Sequence, residues 1–182
     1  MSEGLKSIEE TAFNACEQLQ TITIPSTVTN IGGGIFADCK KLSAIDMAEG
    51  NTAYVSVEGV LYNKAMTTLV QYPAGKDNDS YTIPESVTTV GDYAFCGNDY
   101  LTSLPLHDKL KVISDFAFAR VSGVPTFDVP ASTESIGESA FHDCWSLTDI
   151  NVAKSNPNYT SVNGVLYDKE MTTLMQYPEG KT

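Results

Sequence analysis

Residues 56–76 read SVEGVLYNKAMTTLVQYPAGK and residues 161–181 read SVNGVLYDKEMTTLMQYPEGK. Sixteen of these 21 positions are identical, at a constant offset of 105. A chain that restates itself at a fixed interval is built of units that pack on one another, so the repeat outranks any local propensity.

A shorter period runs inside the long one. An aromatic anchor recurs at Phe13, Phe36, Phe95, Phe118 and Phe141, with spacings of 23, 59, 23 and 23. Apolar residues keep register with it: Ile8, Ile31, Val90, Ile113 and Ile136 precede the ring, and Leu19, Leu42, Leu101, Val124 and Leu147 follow it. The 59 is 23 plus 36, so one repeat is lengthened, and the opening duplication is that lengthened repeat coming round again. A 23-residue unit cannot bury its own apolar face, whereas stacked units bury a continuous one.

The segment LQTITIP alternates Ile22 and Ile24 with Thr21 and Thr23, the period-two mark of a half-buried strand. Pro25, Pro84 and Pro130 end such strands because proline lacks an N–H. Gly32, Gly91 and Gly137 suit a tight bend. Pieces such as GESAFHDC are too short for a full helix and predict one helical or 3₁₀ turn, its Phe plugging the core from the far side. The fold class expected is an α/β-type leucine-rich-repeat solenoid, a single unit over 1–182. Six concave parallel strands are expected near 20–24, 43–47, 80–83, 102–106, 125–129 and 148–152, with a short-helical convex side.

The pattern LxxIxIPxxVxxIGxxAFxxC, carried as LQTITIPSTVTNIGGGIFADC at 19–39, resembles the BspA-like leucine-rich repeats of bacterial and some protozoan surface proteins. The resemblance covers essentially the whole chain in five copies. Glu9 in place of Gly, Thr133 in place of an apolar residue, and Arg120-Val121 where another copy has Asp38-Cys39 are departures within it. It implies a cell-surface or secreted location and adhesion to host or neighbouring-cell proteins or glycans.

The lengthened repeats fall at about 48–83 and, incompletely, 153–182. Val60–Tyr62 and Thr67–Tyr72 flank the polar turn Asn63–Met66, which predicts a β-hairpin on the convex or lateral side. Tyr62, Tyr72, Tyr167 and Tyr177 then either form an exposed patch or cover the solenoid's side. Open array ends expose core and strand edges. The chain therefore reads as a segment of a longer array, or as one capped by its terminal hairpin, and edge-to-edge association is open to it.

Composition closes off other classes. Eleven Lys plus Arg against 23 Asp plus Glu give −12, which opposes binding to nucleic acid and to anionic lipid. No apolar run approaches the roughly 20 residues that cross a bilayer, so no membrane insertion is expected, and MSEGLKSIEE lacks the basic and apolar regions of a secretory signal.

No catalytic, cofactor-binding or metal site is expected. There is no C-x-x-C, no P-loop and no dinucleotide glycine pattern. Cys16, Cys39 and Cys144 share one repeat position and read as small buried residues, although Cys16 and Cys39 fall one strand spacing apart, within disulfide reach. His142, Asp143 and Cys144 look like a nucleophile with its base, but repeat phase turns the thiol inward and the imidazole outward. The candidate ligand surface is the concave face, with outward positions Thr21, Thr23, Asp46, Ser80, Thr82, Ser103, Thr126, Asp128, Asp149 and Asn151. Small, polar and without an aromatic anchor, it suits a shallow, wet surface for a protein or glycoprotein partner. The other reading is a structural spacer that binds nothing.

Overall fold

The computed structural model describes residues 1–182 and contains fifteen short strands and no helix. The first repeats and the first lengthened repeat supply β1 (Ser7–Ile8), β2 (Thr21–Ile24), β3 (Asn30–Ile31), β4 (Ala44–Met47), β5 (Tyr54–Val57), β6 (Val60–Asn63) and β7 (Thr68–Gln71). The remainder supplies β8 (Thr89–Val90), β9 (Val112–Ile113), β10 (Thr126–Val129), β11 (Ser135–Ile136), β12 (Asp149–Val152), β13 (Tyr159–Val162), β14 (Val165–Asp168) and β15 (Leu174–Gln176). The stacked parallel order is that of a repeat solenoid, but four expectations need correction.

The helical convex side does not form. In each 23-residue copy the residues two before and two after the anchoring Phe sit at positive φ: Thr11 and Ala15, Gly34 and Asp38, Tyr93 and Gly97, Phe116 and Arg120, Ser139 and Asp143. Left-handed residues at both ends of so short a piece leave isolated i→i−3 turns, such as Asn14 N–H to Thr11 O, and no continuous helix. The N–H groups that a helix would use internally reach across to the next copy instead, Phe13 to Ile35 O, Phe95 to Ala117 O and Phe118 to Ala140 O, at 2.8–2.9 Å. A second parallel ladder runs there, joining β1 to β3 and β7 to β8, β9 and β11.

The concave sheet is broken into strips. β2 pairs with β4 and β10 with β12, each over four residues, while the expected strands at 80–83 and 102–106 reduce to one bridge, Ser80 to Ser103. Pro105 lies inside the latter segment and Pro125 just before β10, so neither donates a ladder hydrogen bond and the two neighbours separate.

The lengthened repeat is a three-stranded antiparallel meander, β5–β6–β7, and it lies inside the solenoid. β6 is buried on both faces: Leu61 belongs to the core that holds Ile24, Phe36 and Ile45, whereas Val60 and Tyr62 belong to the one that holds Val90, Phe95 and Phe118. The meander is a wall between two cores. Its first turn, Glu58-Gly59, has both residues at positive φ, as a two-residue hairpin requires, and Asn163-Gly164 repeats this in the second copy. Side chains close the ladder where the wall interrupts it. The Tyr54 and Tyr159 hydroxyls accept the Ile31 and Ile136 N–H, each at 2.9 Å.

The aromatic file consequently runs in two stretches. Phe13 stacks near Phe36 at 5.3 Å, and a second stretch runs Tyr72, Phe95, Phe118, Phe141 at 5.1–5.6 Å. Tyr72, 23 residues before Phe95, is the anchor of the lengthened repeat. It and Tyr62 are buried, with the Tyr62 and Tyr81 hydroxyls hydrogen-bonded, so the exposed patch does not exist in this copy. Each buried ring contributes about 2–3 kcal/mol through the area it removes from water.

Candidate functional site

The concave residues do not form one surface. Thr21 and Thr23 lie on β2 beside Ala44 and Asp46 of β4; Ser80 and Thr82 lie on the bridged strip with Ser103; Thr126 and Asp128 on β10 face Asp149 and Asn151 on β12. Between the last two strips, where prolines deny pairing, a groove of about 280 Å³ opens, lined by Ser103, Pro105, Thr126 and Asp128. A second hollow of about 270 Å³ continues from it past Leu106, Asp108, Asp128 and Asn151. Asn151 Nδ2 donates to Oδ1 of the exposed Asp128 at 3.0 Å, which ties β12 to β10 across the strip. The structure therefore gathers Ser103, Thr126, Asp128 and Asn151, and leaves Thr21, Thr23 and Asp46 apart.

Asp149 is diverted. The terminal meander packs on β12 through Gly164, and Lys181 Nζ lies 3.2 Å from Asp149 Oδ1. Hydrogen bonds from Thr148 and Lys181 hold its carboxyl below the ordinary range. Its lysine partner lies 32 residues downstream, with no motif to announce it.

The cysteine and histidine chemistry is settled by burial. All four cysteines are free. Cys39 and Cys144 Sγ donate to the Phe13 and Phe118 carbonyls at 3.0 and 3.1 Å, which fixes them as packed thiols. Burial pushes Cys39 up to about 11 and Cys96 and Cys144 up to about 12. Cys16 departs from its expected place, being exposed in the first repeat. His142 Nε2 lies 3.5 Å from Asp143 Oδ2, while the Cys144 thiol is turned to backbone carbonyls, so no nucleophile and base meet. No group of three or more His, Cys, Asp or Glu residues converges as metal ligands would.

Two exposed rings were not singled out from the sequence. Trp145 is 64% and Tyr100 47% exposed. The signal was present in the repeat phase: Trp145 stands four after its Phe, where other copies have Glu17, Lys40, Asp99 and Ser122.

Compared with known proteins, the chain matches the family model of the BspA type leucine rich repeat region in six copies, over residues 1–69 and 74–174. Among solved structures it resembles a leucine-rich repeat protein from Eubacterium ventriosum, at 33% identity and a TM-score of 0.71, over 74% of this chain and 37% of that one. It also resembles the pneumococcal vaccine antigen PcpA, at 26% identity and a TM-score of 0.73, over 85% of this chain and 44% of that one. A leucine rich cell surface protein from Faecalibacterium prausnitzii shares the fold at 22% identity and a TM-score of 0.54, over 98% of this chain and 52% of that one. The chain thus spans less than half the length of the first two. No curated protein sequence matches it.

Proposed function

The chain belongs to the BspA-type leucine-rich repeat family, and from that premise we propose a non-enzymatic recognition module of a bacterial surface protein. A surface setting is supported by the neighbours described as a vaccine antigen and a cell surface protein. The observation that carries a binding role is the groove between Ser103 and Asp128, where unpaired strands leave hydroxyl, carboxylate and amide groups open on the concave side. Such a surface takes hydrogen bonds from a glycoprotein or an extended polypeptide, wet and of modest strength for one segment.

The concave face also lacks an aromatic anchor, which favours the alternative of a spacer that displays other domains. Retention on immobilised mucin and extracellular-matrix glycoproteins separates the two. The parent chain should be retained, and Ser103→Lys with Asp128→Lys should sharply weaken retention while leaving the urea midpoint unchanged. A parent chain that passes through every surface at background identifies the spacer.

A further inference from the structure

The phases four and five residues after the anchoring Phe are polar or glycine in every copy but two. Position four reads Glu17, Lys40, Asp99, Ser122, then Trp145; position five reads Gln18, Lys41, then Tyr100, then Gly123 and Ser146. Nothing in the repeat asks for a ring at either phase, and both rings are left in solvent. They share one edge of the solenoid, two repeats apart, about 10 Å by strand spacing.

What lies between them suits a flat ligand. The intervening copy presents Ser122-Gly123, and Gly123 cannot carry a side chain because its Cβ would come within 2.4 Å of Leu101 O. At that phase the intervening copy therefore puts no side chain between the two rings. Beside it, Asp99 is held in place from two sides, by Lys40 Nζ at 2.6 Å and Ser122 Oγ at 2.7 Å. Each oxygen of this half-exposed carboxylate accepts one of these bonds and keeps a further lone pair for a ligand hydroxyl. Exposed Trp and Tyr supply rigid contact area at little entropic cost, with an apolar face and a polar tip.

We propose that Tyr100, Trp145 and the Asp99–Ser122 pair form a carbohydrate-binding strip for a neutral glycan chain. The pyranose rings would lie on the two aromatic faces and the hydroxyls on Asp99. The net charge of −12 directs the choice to a neutral glycan over a sulfated or sialylated one. This strip is separate from the concave groove and stands without it.

The test uses the sole tryptophan as its own reporter. Cellotriose and N-acetylated chitotriose are titrated into the 182-residue chain while Trp145 emission is followed. Concentrations run to about ten times the ~1 mM dissociation constant of a single shallow site. A saturable change with either sugar is expected. Tyr100→Ala and Asp99→Asn should each weaken it about tenfold, whereas Asp128→Lys in the concave groove leaves it unchanged. Urea midpoints equal to the parent's certify that each variant is folded. No saturable change with either sugar, or a change that Asp128→Lys abolishes and Tyr100→Ala does not, overturns the strip.

Discussion

Tyr72 and Tyr177 are the same residue in the same local sequence, yet one is fully buried and the other 51% exposed. The difference is the neighbour: Tyr72 stacks on Phe95 at 5.1 Å, and its N–H bonds Ala94 O at 2.7 Å, both from the copy that follows. Tyr72→Ala should cost about 3–5 kcal/mol in urea unfolding, as large-to-small changes in a core do. Tyr177→Ala should cost under about 1 kcal/mol, as surface changes do. Equal losses would contradict the stacking account. Burial also governs the thiols. In native protein a thiol reagent near pH 8 should label Cys16 alone, and all four in denaturant. Cys39, Cys96 and Cys144 are raised above their ordinary 9.0 by burial, as Tyr62, Tyr72 and Tyr81 are raised above 10.0. Above these ordinary values the unfolded chain releases protons that the native state keeps. Stability is therefore full below pH 9 and falls as pH rises beyond it, steepening past 10. An unfolding midpoint that is flat from pH 8 to 10.5 would contradict this.

At the scale of elements, the meander decides how the two cores meet. Its first turn rests on Gly59, at φ +79° and with space for no Cβ, since one would come 2.9 Å from the Ala44 Cβ. Gly59→Ala should destabilise by about 1–3 kcal/mol, combining left-handed strain with the shift forced on β4. Gly50, at φ +85° with nothing near it, bears only the first of these, so Gly50→Ala should cost less in the same denaturation series. Buried Asn51 and Asn156 brace the approach to each meander. Each donates to two carbonyls of an earlier copy and accepts two N–H groups of its own turn. They give the two meanders the same entry, and both take the same register, Leu61 opposite Gln71 and Leu166 opposite Gln176, despite unequal neighbours.

Across the whole molecule the stack is one-dimensional, so each copy's stability depends on what covers it. The first meander is covered on both faces. Within residues 1–182 the second is covered on one, and Leu174, the copy of buried Leu69, is 55% exposed beside a hollow of about 350 Å³ lined also by Phe141 and Leu166. Hydrogen exchange should reveal this directly. Amides of β14 and β15 should exchange at least about tenfold faster than those of β6 and β7, because local opening there exposes less buried surface. Equal protection of the two copies would mean that the stack is not the cooperative unit.

The repeat frame, the buried phases and the concave strips at β2, β4, β10 and β12 were legible in the residues, because a period of 23 with fixed apolar phases has one economical way to bury itself. Even the meander's first turn carried a signal, Asn163-Gly164, that marks a two-residue hairpin. The sequence alone could not say that GESAFHDC would spend its N–H groups between copies, nor that the tyrosines would face a core on both sides of a wall. It also hid Lys181 beneath Asp149 and the groove beside Pro105. Those outcomes depend on which copy lies next to which. A local pattern determines what a unit can bury, whereas the stacked neighbour supplies the carbonyl, the ring or the solvent that it meets.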